Sequence, residues 1–154
     1  MKAMWNSGLV SVSFRKASPE EICKAASAAG LTAIEWGSDV HAPFDAPKKL
    51  QDIVKLQKLY DIRCSSYGTY FRLGETPLSL LPSYIAAAER LGTRVLRLWC
   101  GDRAADAYTA DEKEALFAIC RAAAKTAEEM GVTLCMECHP NSFTETASGA
   151  AELL

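Results

Sequence analysis

SPEEICKAASAAGLTAIEW, Ser18–Trp36, spells a helix with both ends marked and a strand directly after it. Ser18 is placed to cap the helix and Pro19 suits its first position. Glu21 closes a capping box, because a side chain three residues in can reach back to the backbone N–H of the cap. Ile22, Ala25, Ala26 and Ala29 follow the i, i+3, i+4, i+7 spacing of an apolar stripe. Gly30 ends the helix, since glycine enters the left-handed conformation of a helix stop without a Cβ clash. Leu31–Trp36 then reads as an apolar strand.

The same unit recurs in both directions. Leu9–Phe14 reads as a strand ahead of it. Downstream, a helix over Lys48–Tyr60 stops near Asp61 before a strand at Ile62–Ser66. A third helix, Pro82–Leu91, carries the stripe Leu81, Tyr84, Ile85, Ala88 and Leu91, and stops at Gly92 before a strand at Arg94–Cys100. The longest runs from the capping box Thr109…Glu112 to Met130, with Leu116, Ile119, Cys120, Ala123, Ala127 and Met130 on one stripe. Gly131 ends it. The stops at 30, 61, 92 and 131 lie 31, 31 and 39 residues apart, the size of a βα unit.

Five strands alternating with four complete helices imply an α/β fold with a parallel sheet and right-handed crossovers. Two architectures fit, a flavodoxin-like open sheet and part of a (β/α)8 barrel. An open doubly wound sheet usually has a Gly-rich phosphate loop after its first strand; Phe14-Arg15-Lys16-Ala17 contains no glycine. Polar residues at most strand ends (Ser13, Glu35, Ser66, Tyr67, Glu137, His139) suit a barrel mouth better. Thr146–Leu154 reads as the start of a fifth helix. Four and a half units make just over half of a typical barrel of about 250 residues. The chain is therefore expected to be the N-terminal portion of a TIM barrel, a half-barrel, in one domain over residues 1–154.

Composition narrows the function classes. Hydrophobic residues at 49% and charged residues at 23% argue against disorder. A formal charge of −2 provides no basic surplus for a nucleic-acid backbone. No apolar run is long enough for a membrane span, and Met1–Asn6 lacks the apolar core of a signal peptide, so a cytoplasmic protein with no membrane partner is expected. Of the six cysteines only Cys135 and Cys138 stand at Cys-x-x-Cys spacing, and buried reduced thiols are preferred to a zinc site.

The chemistry is expected in VTLCMECHPNSFTET, Val132–Thr146. Side chains alternate across a strand, so Thr133, Cys135, Glu137 and His139 share one face, and Val132, Leu134, Met136 and Cys138 the other. Parallel α/β enzymes present acid–base groups and ligands at such a strand end.

These pieces together resemble the xylose-isomerase-like TIM-barrel family of sugar-phosphate isomerases and epimerases. The superfamily also contains endonuclease IV-type repair enzymes and inosose-processing enzymes. The matching residues are Ser11–Phe14, Ala29–Trp36, Ser66-Tyr67-Gly68, Arg72-Leu73-Gly74, Leu96–Trp99 with Gly101, and Met136–Pro140 with Thr144 and Thr146. The resemblance implies a divalent metal (Mn, Mg, Co or Zn) at the barrel mouth, and makes Glu137 a metal ligand and a proton-transferring carboxylate. The remaining Asp, His and Glu ligands would come from sixth to eighth strands that this sequence does not contain. The chain alone is thus expected to bind cations weakly, if at all.

His139 is expected to contact a sugar or sugar-phosphate substrate. His41, Tyr67 and Arg72 are the further substrate-binding candidates, though a surface loop is the ordinary place for His41. An internal Glu35–Arg97 ion pair is expected from strand parity, and Trp36 and Trp99 are expected in the core. The leading reading is a metal-dependent sugar or sugar-phosphate isomerase or epimerase, incomplete as this chain. The rival is a non-catalytic half-barrel module that homodimerises, and an endonuclease IV-like activity is disfavoured by charge. Either leading reading predicts a homodimer or larger assembly, because a sheet cut after five strands exposes two edges.

Overall fold

A computed structural model describes residues 7–154; the signal-peptide reading of Met1–Asn6 lies outside them. Five strands, β1 (Gly8–Val10), β2 (Ala33–Gly37), β3 (Arg63–Leu73), β4 (Val95–Cys100) and β5 (Thr133–Met136), pair in the order of the chain, all parallel. Between them run α1 (Pro19–Ala28), α2 (Pro47–Leu59), α3 (Leu81–Leu91) and α4 (Ala110–Glu129), and α5 (Ala147–Leu153) follows β5. Among the described residues β1 and β5 each have one neighbour, so the sheet is not closed. It is the open, partial form of a TIM barrel.

Local signals act as the sequence predicts. Both capping boxes form: Ser18 with Glu21 starts α1, and Thr109 with Glu112 starts α4. The stripe of α3 is buried along its length, and in α1 burial centres on Ile22, Cys23 and Ala26. One face of the sheet packs under the helices through Ile34, Trp36, Cys64, Tyr67, Leu96 and Leu98. Gln57 fastens this layer, accepting from Trp36 Nε1 (3.0 Å) and donating to the Leu91 carbonyl (3.1 Å). The indole N–H is thus satisfied within the core.

Strand limits differ from the sequence reading, most tellingly at β1, β3 and β5. Leu9–Phe14 is not one strand: β1 stops at Val10, and Ser11–Phe14 form a 3-10 turn. The buried Ser11 hydroxyl accepts from the Gly37 N–H (2.9 Å), and the turn crosses Gly37 so closely that a Cβ there would collide with Val12. β3 runs past Ser66 to Leu73. A register shift after Gly68 is bridged by Thr69 Oγ1, which donates to the Arg97 carbonyl (2.7 Å), and pairing resumes at Arg72 with Trp99. β5 ends at Met136, two residues early, although Glu137 N still donates to the Leu98 carbonyl (3.0 Å).

The chain after β5 folds back and is pinned. Thr144 Oγ1 donates to the Glu137 carbonyl (2.7 Å) and Ser142 Oγ to the His139 carbonyl (2.6 Å). Phe143, fully buried, packs its ring against Tyr108 and Phe117. No helix of the described residues is long and apolar enough to cross a membrane. The six cysteines are free thiols, but the expectation of burial fails for two of them. Cys135 sits on the uncovered sheet face and Cys138 beyond the strand end, and both are exposed.

Candidate active site at the strand ends

Arg97, on the face of β4 away from the helices, is the centre of an ionic network. Its Nε donates to Glu35 Oε1 (2.9 Å) and its Nη1 to Glu137 Oε2. Ser66 Oγ donates to the second oxygen of Glu35 (2.7 Å). Gly68 makes room for this pair: a Cβ there would lie 2.7 Å from Arg97 Nη2 and 2.8 Å from Glu35 Oε1. The Glu35–Arg97 pair expected from strand parity is therefore present. Parity did not reveal that the same guanidinium also takes Glu137.

Glu137 is fixed at one oxygen only. Its Oε2 accepts from Arg97 and from Trp99 Nε1 (2.6 Å), while Oε1 has no partner among the described residues. A carboxylate anchored at one oxygen and open at the other is oriented for proton transfer. His139 lies against the Trp99 ring, with centroids 4.6 Å apart. Its Nδ1 is 2.6 Å from the Pro140 carbonyl, which can only accept, so Nδ1 carries a proton and Nε2 is left over for chemistry.

Trp99 is corrected from a core residue to the hub of this mouth. Tyr70 meets its ring edge-on (5.0 Å), Arg72 lies over it (4.7 Å), and its N–H holds Glu137. The sequence signal was available: Trp99 has the same parity as Arg97 and falls at the end of β4. Tyr70 also bonds Arg15, which pairs with Asp39. Arg72 donates Nη1 to the Gly101 (2.5 Å) and Asn141 (2.7 Å) carbonyls. It belongs to β3, because the strand overshoots the mouth and raises Tyr70 and Arg72 as a wall.

Two substrate-binding candidates are displaced. Tyr67 is fully buried on the helix side of β3, and its hydroxyl donates to the Ala42 carbonyl (2.6 Å). Burial pushes its phenol far above the ordinary range. Alternation sends Ser66 to the mouth and Tyr67 the other way. His41 is no surface histidine; it is 4% exposed. Nε2 donates to the Ala17 carbonyl (3.2 Å), which leaves Nδ1 to accept from Ser11 Oγ (3.1 Å). Both nitrogens are thus used internally. A groove of about 400 Å³ does lie beside His41, between α1 and α2, with Glu20, Lys49 and Asp52 among its lining residues.

Burial holds the His41 imidazole below its ordinary value of 6.5. The unfolded chain therefore binds its proton first as pH falls, so stability is full above about 6.5 and declines below it. Denaturant midpoints measured from pH 7.5 to 5 are expected to fall, with a shallower slope in His41→Gln. An unchanged slope would remove His41 as the cause.

A divalent cation does not fit the described residues. No three His, Cys, Asp or Glu side chains among them stand together, and Glu137 Oε2 is already taken by Arg97 and Trp99. A hard cation needs six or more oxygen ligands, waters included, and one free carboxylate oxygen does not make such a site. Two glutamates, an arginine, a histidine and a tryptophan gather at the ends of the parallel strands of this partial barrel, where barrel proteins place their functional groups.

Comparison with known proteins carries this further. The profile of the xylose isomerase-like TIM barrel family matches residues 23–154, and the chain belongs to that family. Among solved structures it resembles the probable 3-DHS dehydratase AsbF of Bacillus anthracis, with TM-score 0.84 and 17% identity over 97% of this chain and 58% of that one. A xylose isomerase domain protein from Planctomyces limnophilus gives 0.68 and 14% over 99% and 59%. A D-psicose 3-epimerase, solved in the presence of D-fructose, gives 0.66 and 13% over 97% and 60%. At these identities the likeness concerns the fold, and the chain spans under two thirds of each structure's length. No curated protein matches it in sequence.

Proposed function

We propose that this chain supplies the N-terminal part of the active site of a sugar isomerase or epimerase acting by proton transfer. The observation that carries the reading is Glu137, anchored by Arg97 and Trp99 through one oxygen with the other free, beside His139 on the Trp99 ring. Glu137 removes a C–H proton next to the substrate carbonyl, and the pair of electrons forms an enediolate. Return of the proton to the neighbouring carbon gives an isomer, and its return to the opposite face gives an epimer. His139 Nε2 relays protons at the oxygens. The half-buried Trp99 and the exposed Tyr70 ring offer apolar contact to a sugar's C–H face.

The solved structures of similar fold include a D-psicose 3-epimerase and a probable 3-DHS dehydratase, which supports this class of chemistry without selecting the substrate. The divalent cation implied by the resemblance would have to find its other ligands outside the described residues, and the mechanism here uses none. A small substrate in the cytoplasm, not nucleic acid, agrees with the charge of −2. The test is solvent exchange: full-length protein in D2O with ketoses and their phosphates is expected to place deuterium on the carbon next to the carbonyl. No exchange with any polyhydroxy ketone would overturn the reading.

The open sheet favours a second reading, self-association. β1 and β5 each have an unpaired side among the described residues, and Val10, Thr133 and Cys135 on the uncovered face are exposed. Pairing two copies would cover both edges. A polypeptide of residues 1–154 is expected to sediment as a dimer or larger at micromolar concentration. A monodisperse monomer would refute this.

A further inference from the structure

Arg72 is the guanidinium at the mouth whose charge no carboxylate of the described residues neutralises. Arg15 is paired with Asp39, and Arg97 with both Glu35 and Glu137. Arg72 instead spends Nη1 on the Gly101 and Asn141 carbonyls and lies over the Trp99 ring. Glu145, which shares the Asn141 turn, accepts from the Asn141 N–H (2.7 Å) and forms no ion pair with Arg72. Carbonyl dipoles and an aromatic face hold a cation in place but do not cancel its unit charge.

The remaining donors matter as much as the charge. Arg72 Nε and Nη2 have no partner among the described residues. That edge of a guanidinium presents two parallel N–H groups, the geometry that takes a carboxylate or phosphate in two hydrogen bonds. The fork is already immobilised through Nη1 and the ring, so little rotamer entropy is lost on binding. It stands one indole away from the acid–base pair, since Trp99 touches Arg72, Glu137 and His139.

We infer that the substrate of this site is an anion, a sugar acid or a sugar phosphate, whose charged end Arg72 receives while Glu137 and His139 work at its carbonyl end. This rests on the proton-transfer reading above and selects the substrate class within it. The neighbouring reaction in sequence must then be one that phosphorylates or oxidises the sugar.

Titration of the full-length protein at low salt, followed by tryptophan fluorescence, separates the cases. Gluconate, glucose 6-phosphate and neutral glucose are the probes. One anion is expected to bind at least about tenfold more tightly than glucose, as suits a charge-assisted bidentate contact; which anion does so distinguishes carboxylate from phosphate. Arg72→Gln is expected to remove that advantage, so that the anion and glucose bind within about twofold of each other in the variant. Arg72→Lys keeps the charge but not the fork, should fall between, and provides the reading if Arg72→Gln does not fold. Equal binding of anions and glucose, or an anion preference untouched in both variants, overturns the inference. The D2O exchange assay then tells the two failures apart: exchange that persists leaves the proton-transfer reading standing, and exchange that is absent removes both.

Discussion

Glu137→Gln in the full-length protein is expected to lower the rate of carbon-bound proton exchange by about a thousandfold, the middle of the range for losing a positioned acid–base group. Gln keeps the size of the side chain and can still offer its carbonyl oxygen to Arg97 and Trp99. It cannot accept the substrate proton at the free position. The fold should be little affected, because Arg97 retains Glu35 at 2.9 Å. The measurement is deuterium wash-in beside a urea unfolding curve. A variant that keeps a tenth of the activity would exclude Glu137 as the base, and a large fall in midpoint would show a mainly structural role.

Arg97→Met should have the largest effect on stability, about 3 kcal/mol, the low end for removing one partner of a buried ion pair. The arginine side chain is 18% exposed, with Glu35 at 12% and Glu137 at 32%, so water compensates only in part. Without the guanidinium, two carboxylates remain on the same sheet face, separated by β3 and β4, with no cation between them. Adding Glu35→Gln to Arg97→Met should recover part of the loss, since it removes one stranded charge, and the double-mutant cycle measures the coupling. If Arg97→Met unfolds at the wild-type urea concentration, the network contributes orientation and not stability.

Much of the scaffold was legible because its signals are local. The capping residues Ser18, Glu21, Thr109 and Glu112, and the glycines at 30, 92 and 131, act through backbone groups within a few residues of themselves. Strand alternation then pairs Glu35 with Arg97 on one face of the sheet, as found, and groups Glu137 with His139 on one face of the fifth strand. A regular strand preserves parity, so one correct register fixes every side chain along it.

Parity misled where the strand is irregular or its end was misjudged. Tyr67 was grouped with Ser66 as a mouth residue, although adjacent residues of a strand face opposite ways. The place of Tyr70 and Arg72 on β3 is not legible in the sequence, because nothing local shows that Thr69 bridges a register shift to the Arg97 carbonyl. His41 looked like an ordinary loop histidine until the 3-10 turn brought Ser11 over it.

What the sequence by itself determined is the order of helices and strands, the parallel sheet they imply, and the candidacy of Glu137 and His139. Tertiary structure alone decided that β1 ends at Val10, that β3 rises into a wall, and that Trp99 joins Arg72, Glu137 and His139. The reason is range. Caps, stops and alternation are set by hydrogen bonds and sterics between near neighbours in the chain, whereas strand length, register shifts and shared ion pairs depend on groups up to 69 residues away, as Arg72 is from Asn141.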